Sequence, residues 1–459
     1  MIFLLTHLLQ VLKNHAERQQ RFRFLSLVLF CFVFPSSWAD SLLPDSLSIH
    51  GFSTLGTAWL NEPGVVLERD LGNQLGISQK GNPLDADSRL GIQADWQINA
   101  RWSTTIQAVE APRVVQNANN AIPWAFVKYQ INNDTYLRAG RMGVYAFALS
   151  DQRNVGYVYP WVRPPEEFYG FMPIYSMTGV DSGWHHDFNF ERSIDVRAFV
   201  ARSDSSYFLP DSVTGTDSFT LKLSPLLGST IVMNQGNLTA RLAYMTMKVG
   251  STFPGLESVL QQSQQVVPVY PSLAGLPGQA DILNSRVSFY DSSMNYDNGH
   301  IMFMAEAAYT DFQSHFKPSM ETGYLTIGYH VSPKVLPYLT YARVRPARST
   351  FFVNSSAPPA GLAYLPPSSP LRPQATAAYA EGSYLKNAFN SYYFGVLQEN
   401  QQTLSLGVRW DFYPRMDLKA QVDRTRVFDG GYQLWQIPAN SFVDPSGVTV
   451  WSLAWDTVF

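Results

Sequence analysis

Long apolar runs are missing from most of this chain. Its 459 residues are 46% hydrophobic and 14% aromatic, yet mean hydropathy is only -0.11, so the apolar side chains are interleaved with polar ones. A helical membrane span needs about 20 consecutive apolar residues. Candidates occur only within the first 40 positions, which excludes a polytopic helical membrane protein. Charge is scarce too, at 15% of residues against about a quarter in an average soluble domain. The hydrophobic content excludes disorder. Cysteine is almost absent, with Cys31 alone.

That cysteine lies in a segment expected to be removed. Arg18 to Arg23 supply a basic start, Phe24 to Phe34 an apolar run of 11 residues, and Ser37-Trp38-Ala39 the small residues of a cleavage site. Residues 1–39 therefore read as a signal peptide and 40–459 as the exported domain, beginning at Asp40. Eleven apolar residues are too few to span about 30 Å of hydrocarbon as a helix. The exported part keeps 29 Lys and Arg against 35 Asp and Glu, a charge of -6, and no cysteine. A disulfide scaffold is excluded, and mild acidity argues against nucleic acid as a partner.

What is present is alternation with period 2, the signature of a strand with two different faces. In 88–99, Leu90, Ile92, Ala94, Trp96 and Ile98 alternate with Arg89, Gln93, Asp95 and Gln97; in 402–412, Leu404, Leu406, Val408 and Trp410 alternate with Thr403, Ser405, Gly407 and Arg409. The segments run to about 9–13 residues rather than the usual 5–6, and aromatics gather at their ends. Tight connections such as Asn99-Ala100, Asn132-Asn133, Asp297-Asn298-Gly299 and Pro414-Arg415 alternate with long ones such as 61–87, 143–177, 249–284 and 345–400. Short turns at one end and long loops at the other are how a transmembrane β-barrel is organised. Counting predicts an all-β, antiparallel barrel of sixteen strands, with fourteen or eighteen as alternatives. Its weakest strand pair spans 216–248, where Ser224-Pro225-Leu226-Leu227-Gly228 predicts a longer inner connection.

On these residues the chain resembles the general porins of Gram-negative outer membranes, sixteen-stranded homotrimers. Leu47-Ser48-Ile49-His50-Gly51 is similar to their first strand, Ser88-Arg89-Leu90-Gly91 to their second, and Asp456-Thr457-Val458-Phe459 to their last. Trp451, Leu453, Trp455 and Phe459 resemble the C-terminal signature by which such barrels are handed to the barrel assembly machinery. The connection 143–177 corresponds to the third outer loop, which in porins folds into the lumen. Its Arg163-Pro164-Pro165-Glu166-Glu167-Phe168-Tyr169-Gly170 is similar to a Pro-Glu-Phe-Gly element there, with an added Glu and Tyr.

A transverse field between opposite charges orients polar solutes, and rows of charge set selectivity in pores. The inward candidates for the constriction are Arg89, Lys128 and Arg138, with Arg141 close to the loop, facing Asp151, Glu166 and Glu167 on the loop. Arg409, Lys419 and Glu306 are expected to line the wide lumen. His185-His186 cannot easily share one metal, because neighbours on a strand point to opposite faces. No catalytic grouping and no cofactor site is expected. In 345–373, seven prolines predict a semi-rigid outer loop, and Leu256–Gln265 reads as a short helix at the mouth.

The reading is a passive channel of the cell outer membrane for small hydrophilic solutes and ions, embedded in lipid and lipopolysaccharide. Two alternatives stand. One is a substrate-selective porin with a greasy path of Tyr157, Tyr159, Trp161, Phe168 and Tyr169; the other is a barrel acting as adhesin or receptor through its long loops.

Overall fold

The computed structural model describes residues 44–459 apart from 72–75, 79–81, 114–117, 173, 209–217, 252–255, 269–272, 275–281, 314–316, 349–364, 393–398, 433 and 437–446. The expected signal peptide 1–39, and Pro358-Pro359 of the proline-rich connection, lie outside the described residues.

Sixteen antiparallel strands close into one barrel. The first eight are β1 Leu47–Leu60, β2 Arg89–Gln97, β3 Trp102–Glu110, β4 Trp124–Gln130, β5 Thr135–Gly143, β6 Ser176–Asn189, β7 Arg192–Phe208 and β8 Ser218–Gln235. The rest are β9 Leu238–Val249, β10 Arg286–Asp297, β11 Ile301–Phe312, β12 Ser319–Tyr329, β13 Val335–Arg348, β14 Glu399–Tyr413, β15 Met416–Tyr432 and β16 Val448–Val458. Each pairs with its sequence neighbours, and β1 closes the ring on β16, with Phe52 opposite Val458 and Trp59 opposite Trp451.

The alternation in the sequence becomes two faces. Leu404, Leu406 and Trp410 are exposed on the outside, whereas Thr403 and Ser405 are buried inside. The same holds for exposed Val422 beside buried Gln421 and Asp423 on β15. Lipid solvates the apolar stripe, and the polar stripe is left to the interior.

The expected inner connection at 224–228 is not there. β8 runs straight through Pro225, and its pairing with β7 and β9 shifts register between Leu223 and Leu226. A bulge accommodates a residue that has no N–H to give the ladder. The tight turn falls instead at Gly236, whose φ of 54° is the left-handed region glycine enters freely.

Among the described residues, four α-helices accompany the strands at the loop end. They are α1 Ala118–Ala121, α2 Glu166–Tyr169, α3 Leu256–Val266 and α4 Arg372–Tyr392. Helix α3 agrees with the sequence reading; α4 replaces what read as irregular loop, with Pro373 in its first turn, where a missing N–H costs nothing. A small sheet of 435–436, 66–67 and 77–78 is separate from the barrel ladder and packs against its inner face, where Leu67, Ile77 and Trp435 cluster with Val448 and Val450 and Trp435 Nε1 donates to Gln401 Oε1 at 2.8 Å.

Candidate functional site: the strapped lumen

Between β5 and β6 the chain makes a 32-residue excursion, 144–175, nine of whose residues are aromatic. That is enough apolar surface to drive the loop out of water. Tyr159, Trp161, Phe168 and Tyr169 are 0–2% exposed and belong to one cluster with wall residues Met245, Phe289, Tyr324 and Tyr338. The loop therefore packs against the inward side chains of the wall.

Polar bonds fix where it lies. Trp161 Nε1 donates to Thr326 Oγ1 on β12 at 3.1 Å and Thr340 Oγ1 on β13 at 2.9 Å. The Val162 amide donates to Gln421 Oε1 on β15 at 2.9 Å. Arg163 then enters a closed ionic site, with Nη2 2.7 Å from Asp87 Oδ2 and Nη1 3.3 Å from Asp423 Oδ2. The same Nη2 donates to Ser452 Oγ on β16 at 2.7 Å. Burial works against the charge on Asp87, but Arg163 beside it wins and holds the carboxyl below its usual range.

The Pro164-Pro165 pair cannot continue a hydrogen-bonded turn, and Pro165 caps the single turn of α2. Four consecutive side chains are thereby spread around one axis. Glu167 accepts from Gln401 Nε2 at 2.9 Å and from Thr403 on β14. Tyr169 donates to Glu306 on β11, which also accepts from Tyr324 Oη at 3.0 Å and the Ala148 amide at 2.6 Å. Burial pushes the Glu166 carboxyl well above its usual range, and Arg163 at 3.8 Å pulls it back only in part. Burial raises Glu167 as well, against the bonds from Thr403 and Gln401.

Further straps complete the arc. Lys419 Nζ donates to the Gly156 carbonyl at 2.7 Å, and Arg409 Nη1 to the Tyr157 carbonyl at 2.7 Å. Gly156 lies so close to β16 that a Cβ there would sit 1.9 Å from Asp456 Oδ1. Arg89 Nη2 donates to Tyr159 Oη at 2.9 Å. The other side of the barrel keeps a polar cavity of about 470 Å³ on the inner face of β1 to β7, bordered by Asp45, Asp95, Lys128, Tyr136, Arg138 and Arg197.

The seven residues expected at the constriction thus separate. Lys128 and Arg138 stand directly opposite each other across the β4–β5 ladder and border the cavity. Arg138 is paired bidentately with Asp181, and Lys128 Nζ lies over the Tyr136 ring at 4.6 Å. Asp151 is 3.5 Å from Arg197. Arg89, Glu166 and Glu167 are buried where the loop meets the wall. Arg141 has the outward parity of exposed Leu137, and its Nε donates to the Ile122 carbonyl at 2.8 Å. Arg409, Lys419 and Glu306, expected to line open lumen, hold the loop instead. The greasy path loses four of its five members, since Tyr159, Trp161, Phe168 and Tyr169 are buried, while Tyr157 stays half-buried.

Sequence reasoning missed Arg163, Asp87, Asp423 and Gln421. The inward parity of Gln421 and Asp423 was legible, but nothing local says that a loop 260 positions away would reach them. At the barrel seam, Trp451, Leu453 and Trp455 face outward, and the Phe459 ring covers Gly51. Among the described residues no group of His, Cys, Asp and Glu could hold a metal; His185 bonds Asp195 and His186 stacks on Trp184.

The barrel can be set beside solved structures. OmpF of Salmonella typhi, in complex with daunomycin, is 12% identical over 90% of this chain and 97% of that one, with a TM-score of 0.48. An anion-selective porin from Comamonas acidovorans is 11% identical over 90% and 99%, at 0.46. OmpT of Vibrio cholerae in its trimer form is 10% identical over 90% of this chain and all of that one, at 0.47. No family profile and no curated protein matches the sequence.

Proposed function

We propose that the chain is a porin-type channel of the outer membrane, passing small polar solutes and ions along the β1–β7 wall. The observation that carries this reading is the asymmetry of the lumen. The loop's ties run chiefly to β11 through β16, with further ones to Arg89 on β2, Arg197 on β7 and Thr230 on β8, while the polar cavity with Lys128, Arg138 and Arg197 lies along β1 to β7. Like charges opposite each other on a ladder are destabilising. Lys128 faces Arg138 in this way; Asp181 offsets Arg138, and Lys128 borders the polar cavity, where it meets water and passing anions.

In this reading residues 1–39 are the export signal, Trp451 to Phe459 present the strand to the assembly machinery, lipid and lipopolysaccharide surround the wall, and the oligomer is a homotrimer. Passage along the polar wall uses Lys128, Arg138 and Asp151; Arg89, Glu166 and Glu167 set the position of the loop and so the width of the path. No cofactor takes part. Planar-bilayer recording tests the proposal. Stable open conductance with a reversal potential that moves in Lys128→Gln is expected, and a reconstituted barrel without open conductance would favour the adhesin or receptor reading.

A further inference from the structure

The polar cavity along β1 to β7 separates charges of opposite sign across its width. Asp45 and Asp95 stand on the β1–β2 side, and Lys128, Arg138 and Arg197 on the β4–β7 side. Two of the three cations are already answered, Arg138 by Asp181 and Arg197 by Asp151 at 3.5 Å. Lys128 Nζ has the Tyr136 ring at 4.6 Å and, among the described residues, no carboxylate in ion-pair contact. Asp45 and Asp95 likewise have no basic side chain in contact among the described residues.

Asp95 is held in place without being neutralised. Thr105 Oγ1 donates to its Oδ1 at 2.6 Å and Gln93 Nε2 to its Oδ2 at 2.8 Å, and Gln93 in turn accepts from Gln107 Nε2 at 2.9 Å. Each carboxylate oxygen keeps a lone pair for a further donor. The ladder fixes how far off the free ammonium is. Asp95 lies opposite Thr105, Thr105 opposite Phe126, and Lys128 two positions further along β4. Two interstrand steps make about 10 Å. Ser103 lies between the two sides, opposite Gln97 on β2 and Lys128 on β4.

We infer that this cavity binds short peptides with free termini, the ammonium group at Asp95 and Asp45 and the carboxylate at Lys128. Charge complementarity selects the class. An anion would meet two carboxylates with nothing to offer them, and a cation would leave Lys128 unanswered. Length selects within the class. A single amino acid holds its two charges too close together to reach both sides, whereas two or three residues at about 3.3–3.6 Å each span the gap once the Lys128 side chain reaches inward. The Ser103 hydroxyl serves the peptide groups between. The inference deepens the channel reading and rests on it for passage, since it names the solute for the same wall.

The test uses the full chain refolded in detergent, with folding checked by heat modifiability, as parent, Asp95→Asn, Lys128→Gln and the charge exchange Asp95→Lys/Lys128→Asp. Trialanine, trialanine amide, acetyl-trialanine and acetyl-trialanine amide are titrated by calorimetry, and the same peptides are added to single channels in planar bilayers. Expected are saturable binding of trialanine by the parent, about fivefold weaker binding in each single variant, and recovery in the charge exchange, which the peptide meets by turning round. Equal binding of all four peptides, preference for a singly charged peptide over trialanine, or parent-like affinity in both single variants overturns the inference. So does free alanine bound as tightly as trialanine, which would mark a single amino-acid site. Trialanine binding without open conductance fails the channel reading alone, while open conductance with neither binding nor block by trialanine fails the inference alone.

Discussion

Arg163 and Asp87 meet at 2.7 Å with both side chains shut off from solvent, although 76 positions separate them. Breaking a buried ion pair by removing one partner costs about 3–5 kcal/mol, because the other charge is left unpaired. In Arg163→Gln Asp87 keeps Arg69 at 3.2 Å while Asp423 loses the Arg163 guanidinium, so part of that cost falls on docking of the loop. We expect noisier single-channel currents and protease cleavage within 144–175, with heat resistance of the barrel retained because the sixteen ladders are untouched. Quiet currents and an uncut loop would show that the aromatic packing alone holds it.

Acid and base act on the strap in opposite senses. Glu166 and Glu167 hold their protons more tightly when docked than when free, burial being the main cause. Their contribution is fully present below the free carboxylate pKa and is lost as pH rises through the docked value. Asp87, lowered by Arg163 against the effect of burial, contributes above the free pKa and loses it as pH falls. Loop-opening noise should therefore increase toward alkaline pH, and Glu166→Gln should flatten that side of the profile. A Glu166→Gln profile that matches the parent would remove Glu166 from the mechanism.

Ion selectivity should follow Lys128 and ignore Glu166 and Glu167. One charge at about 4 Å in water is worth about 1 kcal/mol, so Lys128→Gln should lower the anion-to-cation permeability ratio about fivefold. Glu166→Gln with Glu167→Gln should leave the reversal potential in place, since both carboxyls are closed off from the passage. A shift in the double variant would put these carboxyls on the ion path.

Barrel closure depends on one small residue. A Cβ on Gly51 would meet the Phe459 ring at 2.2 Å, and the two residues exchange backbone bonds of 2.7 and 2.9 Å. Gly51→Val should lower the folded fraction in a heat-modifiability gel, and adding Phe459→Ala should recover part of it. Normal folding of Gly51→Val would mean the ring can swing aside at no cost.

Strand number, faces and turns were legible because each is a local property. Thr403 and Leu404 point to opposite sides of β14 whatever the rest of the chain does, and Asn298-Gly299 turns where it stands. Pro225 shows the limit: the residue read as a break, but the neighbouring strands absorb it as a bulge. Helix α4 escaped notice inside a connection judged by its prolines.

Period-2 alternation by itself determined a barrel with an apolar outside and a polar inside, because successive side chains on a strand cannot choose the same face. The loop's nine aromatics similarly determined that it would leave the water. Only the closed ring decided which wall would receive it. Closure brings Asp87, Asp423 and Ser452 around a single guanidinium. It also turns Glu166 and Glu167 from charges facing solutes into groups that hold a strap. A carboxylate's role depends on whether water or another side chain solvates it, and that is settled in three dimensions.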